Sequence, residues 1–203
     1  MSLFNKITAT FQDSKQFLIK IIQEYLTLDL EAKQLTLKKK FVLLLCQQAE
    51  FRVEQLKNLE PDPDEGLIAT IDYNNIQTTL HFTPEKITFE NDFIKGELRL
   101  LKPPKFDTDS IVYRSLIAGW RTFLGGKIPN QALPKEVRIE NNKVYYTLPR
   151  NQLEVLDALF HNLENGSALI MNLEQGDLTI ESSADISWSN FKLQNLLYFI
   201  NSK

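Results

Sequence analysis

Three segments of this chain repeat one pattern: two short runs of alternating apolar residues flank a tight turn, and an amphipathic stretch follows. The segments span residues 76–125, 136–163 and 168–200. Alternation with a period of two is typical of strands, whereas apolar residues at three- and four-residue spacing are typical of helices. The pattern therefore predicts hairpins that each lead into a helix, and a sheet with its helices on one side.

The first segment belongs to a longer stretch of alternation that begins at Leu67. Four alternating runs follow one another, separated by residue pairs that favour turns, namely Asn74-Asn75, Pro84-Glu85 and Asn91-Asp92. Four strands joined by short turns make an antiparallel meander. The two later hairpins are expected to turn at Asn141-Asn142 and at Gln175-Gly176.

The first part of the chain, residues 1–59, shows the spacing of helices. Apolar residues recur at this spacing in two runs, Leu18-Ile21-Ile22-Tyr25 and Leu37-Phe41-Leu44-Phe51. No proline or glycine interrupts the region, and Asp29 is placed to cap its second helix. We therefore predict an α+β fold: an antiparallel sheet of a meander plus hairpins, with helices packed on one face, preceded by a helical N-terminal region.

An acidic, proline-containing stretch at residues 60–66 separates these two patterns. Its two prolines cannot continue a helix, and its like charges repel one another and extend the chain. The sequence thus predicts three parts. Residues 1–59 form a helical region, residues 60–66 form a linker, and residues 67–203 form an α+β domain of recurring hairpin-helix units.

Residues that commonly perform catalysis are scarce in this chain, which has one cysteine, two histidines and seven glycines. Cys46 lies within an apolar run and is expected to be buried. His81 and His161 are expected on unrelated surfaces, without partners at metal-ligand spacing. No glycine-rich phosphate loop is present, so the sequence implies no cofactor and no metal, and it favours a non-catalytic role. An enzyme without a recognisable motif remains an alternative.

The formal net charge of −3 argues against a nucleic-acid-binding domain, which is usually strongly basic. A local basic block nevertheless extends from Lys95 to Lys127, and arginine with tryptophan is enriched at binding hot spots. We therefore predict a binding patch that comprises Arg114, Trp120, Arg121 and Lys127. Its expected partner is an acidic surface of another protein. A plain charged face, anionic lipid and RNA are the alternatives.

These patterns predict a protein-binding accessory or assembly factor. The alternative is a carrier of an apolar small molecule, lipid or pigment, held between the sheet and its helices, because ligand pockets are mostly apolar. The same residues also suit a filled core, and the sequence does not distinguish the two. The N-terminal helices are candidates for a homodimer interface, and Lys38-Lys39-Lys40 for peripheral contact with an anionic membrane. The sequence shows no targeting segment, so a cytoplasmic location is expected.

Overall fold

The structure, a computed structural model, describes residues 23–73, 76–90, 92–110, 118, 137–149 and 165–183. Within these ranges eleven strands form one sheet, and one complete helix contacts it. The elements, in chain order, are β1 (Leu26–Asp29), β2 (Gln34–Leu37), α1 (Lys39–Arg52), β3 (Leu56–Pro61), β4 (Leu67–Tyr73), β5 (Ile76–Glu90), β6 (Phe93–Leu100), β7 (Lys105–Asp107), β8 (Val137–Glu140), β9 (Lys143–Pro149), β10 (Ala168–Glu174) and β11 (Asp177–Ser182).

The strands pair in the order β1-β2-β11-β10-β5-β6-β9-β8. Outside this path, β4 pairs with the first half of β5, β3 pairs with β4, and β7 pairs with the beginning of β5. These pairings are all antiparallel. Because β5 contributes to both parts of the sheet, one strand connects the region beside β10 with the region beside β4.

The core lies between α1 and the inner face of the sheet, which we define as the face that contacts α1. The helix buries Phe41, Val42 and Cys46, whose spacing places them on one side of it. The backbone N–H of Lys39 donates to Asp177 Oδ1 at 2.7 Å, so a carboxylate from β11 caps the helix N-terminus. The sheet side of this core comprises Leu26, Leu35, Leu37, Ile87, Phe89, Ile94, Leu169, Met171, Leu173 and Ile180.

A β-bulge at Glu85 keeps the apolar residues of β5 on the inner face. Phe82 and Ile87 are five positions apart, an odd number that would place them on opposite faces of a regular strand. In the register with β6, Pro84 pairs with Leu98 and Lys86 pairs with Glu97, so Glu85 is the extra residue. The turn predicted at Pro84-Glu85 is therefore wrong, and the two predicted strands are one strand with a bulge.

Both later hairpins are confirmed. β8 and β9 pair across Asn141-Asn142, and β10 and β11 pair across Gln175-Gly176. Gln175 and Gly176 have φ values of 53° and 89°, the positive angles that a two-residue type I′ turn requires. The helices predicted to follow each hairpin fall almost entirely outside the described residues.

The predicted fold class is wrong, because the described residues are mostly antiparallel strand rather than helices packed on a sheet behind a helical N-terminal region. Of the region 1–59, only α1 is a helix of full length within the described residues. Asp29 does not cap a helix. Its side chain accepts hydrogen bonds from the backbone N–H groups of Glu31 and Ala32, both at 3.0 Å, and so forms the turn between β1 and β2.

The acidic stretch at residues 60–66 connects β3 to β4. It contacts the hairpin of β10 and β11, because the N–H of Gly66 donates to the carbonyl of Leu173 and the N–H of Gln175 donates to the carbonyl of Asp64, both at 2.9 Å. The division into parts 1–59, 60–66 and 67–203 stays a prediction, although the pairing of β2 with β11 joins the first part to the last.

Candidate functional site

The described residues form an apolar groove on the inner face of the sheet. It has a volume of about 270 Å³ and is open on one side. The end of α1 and five strands, from β3 across the sheet to β9, form its walls. The lining residues are Val53, Leu56, Leu59, Ala69, Ile71, Leu80, Phe82, Leu98, Leu100 and Val144. All ten side chains are hydrocarbon, so the groove presents no side-chain hydrogen-bonding group.

Strand alternation places these residues on one face. On β6, Leu98 and Leu100 continue the even-numbered positions that begin with the core residue Ile94. On β4, Ala69 pairs with Leu80 of β5, and both residues line the groove. Leu59 both packs against the core and lines the groove. The groove is therefore the continuation of the core along the same apolar face.

Two exposed apolar residues lie at the end of α1. Val53 lines the groove and is 46% exposed, and Phe51, two residues earlier, is 90% exposed. A phenylalanine that exposed at the end of a helix contributes little to packing. Through Val53, the apolar lining of the groove reaches the end of α1.

The outer face, opposite the groove, carries a charged network around the bulge. Glu85 accepts a hydrogen bond from Arg99 Nε at 2.6 Å and pairs with Lys143 Nζ at 2.9 Å. Arg99 also donates to Glu65 at 2.7 Å. The hydrogen bond from Lys143, and then that from Arg99, lower the pKa of Glu85 below its ordinary value. The network holds the bulge residue in place and leaves the carboxylate ionised at neutral pH.

His81 was expected on the strand face opposite Leu80 and Phe82, without a partner at metal-ligand spacing. It lies on the outer face as expected, but its side chain is only 14% exposed and its Nδ1 lies 3.4 Å from Asp62 Oδ2. Lys102 Nζ lies 3.3 Å from the same nitrogen. Sequence reasoning missed this cluster, because its members come from three separate elements and no local spacing signals it.

The described residues contain no group of three or more His, Cys, Asp or Glu side chains that could hold a metal ion. The neighbours of His81 are thus a carboxylate and an ammonium group, which together do not form a set of metal ligands. His161 lies outside the described residues. Cys46 is buried as predicted, and burial raises the pKa of its thiol to about 12, so it is protonated at neutral pH.

The predicted binding patch lies outside the described residues, since Arg114, Trp120, Arg121 and Lys127 all fall between 111 and 136. Part of the upstream basic block is described. Lys95, Arg99 and Lys102 each lie within ion-pair distance of a carboxylate, from Glu90, Glu85 and Asp62 respectively. These three cations are therefore partly neutralised, and the binding patch itself stays a prediction.

Seven of the ten groove residues were expected on strands, whereas Val53, Leu56 and Leu59 lie in the region 1–59 that was predicted to be helical. No sequence signal identified any of them as a site. Their residue types are those of an ordinary core. What distinguishes the two parts of the face is that the buried side chains of α1 pack on one part, whereas the described residues leave the other part open. Among the described residues, no helix is both long enough and apolar enough to cross a membrane. No protein-family model, curated protein or solved structure matches this chain.

Proposed function

We propose that this protein binds the hydrocarbon part of an apolar small molecule, such as a lipid chain, in the groove. The observation that carries the proposal is the lining: ten hydrocarbon side chains around about 270 Å³ of open space, on the same face as the core. Binding sites for small molecules are concave and mostly apolar, and their volumes begin at roughly this size. The groove therefore suits one chain or one small ring system.

The driving force for such binding is the removal of apolar surface from water. Each methylene group that enters an apolar site contributes about 0.8 kcal/mol, and binding is observed when the sum over the buried chain exceeds the cost of association. The same lining gives no side chain for acid–base or nucleophilic catalysis. Binding or carriage, rather than a reaction, is the function that these residues support.

The protein-binding function predicted from the sequence stays a prediction, because its four residues lie outside the described part of the chain. The cytoplasm remains the proposed location. Native mass spectrometry of the protein purified gently from its own host distinguishes the two functions. An added mass of a few hundred daltons, on the order expected for a lipid-sized ligand, supports the carrier. An added protein subunit supports the accessory factor.

Fluorescence titration with cis-parinaric acid, a fluorescent fatty acid, tests the groove directly. We expect saturable binding to the wild-type protein and at least about tenfold weaker binding to Leu98→Asp, because a buried charge in the apolar lining is costly. Leu98→Trp fills the groove without adding charge and should weaken binding to a similar degree.

Ile170→Asp is the matched control. Ile170 lies on the outer face of β10 and is 50% exposed, so the same change of an aliphatic residue on a strand leaves the groove intact. Its affinity should equal that of the wild type. Absence of saturable binding to the wild type, or unchanged affinity in both Leu98 variants, contradicts the proposed function.

A further inference from the structure

Tyr146 lies on the border between the groove and the core. On β9 it is two residues from Val144, which lines the groove, and it pairs with Gly96 of β6. On β6, Gly96 lies between the groove residue Leu98 and the fully buried core residue Ile94. All of these residues occupy the inner face, because residues two apart on a strand and directly paired residues share a face.

The ring of Tyr146 lies against the backbone of Gly96. A Cβ atom placed on Gly96 would meet Tyr146 Cζ at 1.9 Å and Cε1 at 2.2 Å, distances that no real side chain tolerates. Glycine within a strand commonly marks such a close approach. Since Gly96 contributes no side chain, the ring of Tyr146 occupies the space directly above this point of β6.

Tyr146 is half-buried, and protein atoms surround part of its phenol end. Desolvation raises the pKa of Tyr146 to about 12, so the hydroxyl is neutral at physiological pH. Because its ring lies over Gly96, Tyr146 stands across the inner face between Leu98 and Ile94, where a chain bound in the groove would otherwise continue.

We propose that Tyr146 closes the core-side end of the groove and so sets the length of the hydrocarbon chain that the groove accepts. This inference rests on the proposed function. A chain that enters beside Leu98 and Val144 reaches the ring and stops, because the next position along β6 is filled. Without the ring, the bare backbone of Gly96 becomes a floor over which the chain can extend.

The inference makes a quantitative statement about affinity and chain length. Each additional methylene that fits in the groove should strengthen binding about fourfold. Beyond the length at which the chain meets Tyr146, further methylenes remain in water and the affinity should level off. The chain length at this plateau is therefore the quantity that Tyr146 determines.

Displacement of cis-parinaric acid by straight-chain fatty acids from octanoate to stearate measures this plateau. For Tyr146→Leu and Tyr146→Ala we expect the plateau to move to longer chains, with affinity still rising about fourfold per methylene past the wild-type limit. Tyr146→Leu keeps a side chain that packs against the sheet, so the test survives if the alanine variant fails to fold.

Two control variants test whether the hydroxyl of Tyr146, or the neighbouring Tyr145, determines the plateau. Tyr146→Phe keeps the ring and should leave the plateau at the wild-type length. Tyr145→Leu changes the adjacent tyrosine, which lies on the outer face with Arg138 Cζ 5.1 Å from its ring centre, and should also leave the plateau unchanged.

Two different results overturn the inference. If the wild-type protein binds no fatty acid of any length, the proposed function fails and the role of Tyr146 fails with it. If the wild type binds with a plateau that neither Tyr146→Leu nor Tyr146→Ala displaces, the groove is a binding site and Tyr146 does not limit it.

Discussion

The two halves of β5 face the same side of the sheet but have different neighbours. In the second half, Phe89 is 1% exposed and belongs, with Ile87 and Ile94, to the same core cluster as the buried residues of α1. In the first half, Phe82 and Leu80 line a groove that the described residues leave open. Residue type does not separate the two halves, since both are aliphatic and aromatic. The two halves differ in whether α1 packs on them, since the helix ends at Arg52.

This comparison shows that an apolar face and a filled core are determined separately. Alternation in β5 and β6, together with the bulge at Glu85, produces a continuous apolar face. Filling it requires a second element, and α1 packs on only part of it. The described residues leave the remaining part open as the groove.

Deleting Glu85 should have the largest effect, because it removes the bulge that keeps the two halves on one face. Without it, either Ile87 and Phe89 or Leu80 and Phe82 would turn to the outer face. We expect the loss of burial to exceed the roughly 5–15 kcal/mol that stabilises a typical domain. Circular dichroism during thermal melting should then show no cooperative transition.

Glu85→Ala is the control for this deletion. It removes the same carboxylate but keeps the residue count, so the register and the cooperative transition should persist. A deletion variant that melts as cooperatively as Glu85→Ala would show that the bulge is not what aligns the two halves.

Two phenylalanines on β5, one in each half of the strand, test the comparison with expected effects of intermediate size. Phe89→Ala should lower the free energy of unfolding by about 3–5 kcal/mol, as for a fully buried aromatic residue. Phe82→Ala should lower it by only about 1–2 kcal/mol, because its side chain already contacts solvent through the groove. Urea denaturation measures both values. Equal losses for the two variants would mean that the groove is packed like the core.

The smallest predicted effect concerns the charged network on the outer face. The pKa of Glu85 is lowered in the folded state, so its ionised form stabilises the fold at and above the ordinary value, about 4.3. This contribution is lost as the pH falls through the lowered pKa. Since the carboxylate is partly exposed, Glu85→Gln should cost no more than about 1 kcal/mol at neutral pH.

Urea midpoints measured at neutral pH and in acid below the lowered pKa of Glu85 check this. The difference between the wild type and Glu85→Gln should disappear in acid, where the wild-type carboxyl is protonated. Glu31→Gln, in the exposed turn after β1, should show no difference at either pH. A Glu85→Gln deficit that persists unchanged in acid would exclude the ionised carboxylate as its cause.

The hairpins of β8–β9 and β10–β11 could be predicted from the sequence because their signals are local. Alternation and a turn-forming pair lie within about a dozen residues in each, as is typical of hairpins. The strands β1 and β2 were missed for the opposite reason. Each strand has only two apolar residues in alternation, Leu26 with Leu28 and Leu35 with Leu37, and such short runs do not distinguish a strand from a helix turn. The second partner of β2 is β11, which lies far along the chain.

The bulge and the groove show a second limit. Pro84 and Glu85 are residues that favour turns, and the sequence alone gives no reason to prefer an extra residue within a strand. Only the unbroken alternation of the partner strand, from Ile94 to Leu100, indicates that β5 continues. Likewise, Gly96 signals a close approach, but the ring that approaches it is known only from the pairing with Tyr146.

The pairing of β2 with β11 has a consequence for how this protein is synthesised. Gln34 and Glu181, whose side chains contact across that pair, are separated by 147 positions in the chain. β2 and α1 therefore leave the ribosome long before β11, the later partner of β2, has been synthesised. Until then β2 has an unpaired edge, and closing so long a loop costs entropy before any contact compensates for it. Nascent chains that stop short of β11 are thus expected to need protection from aggregation.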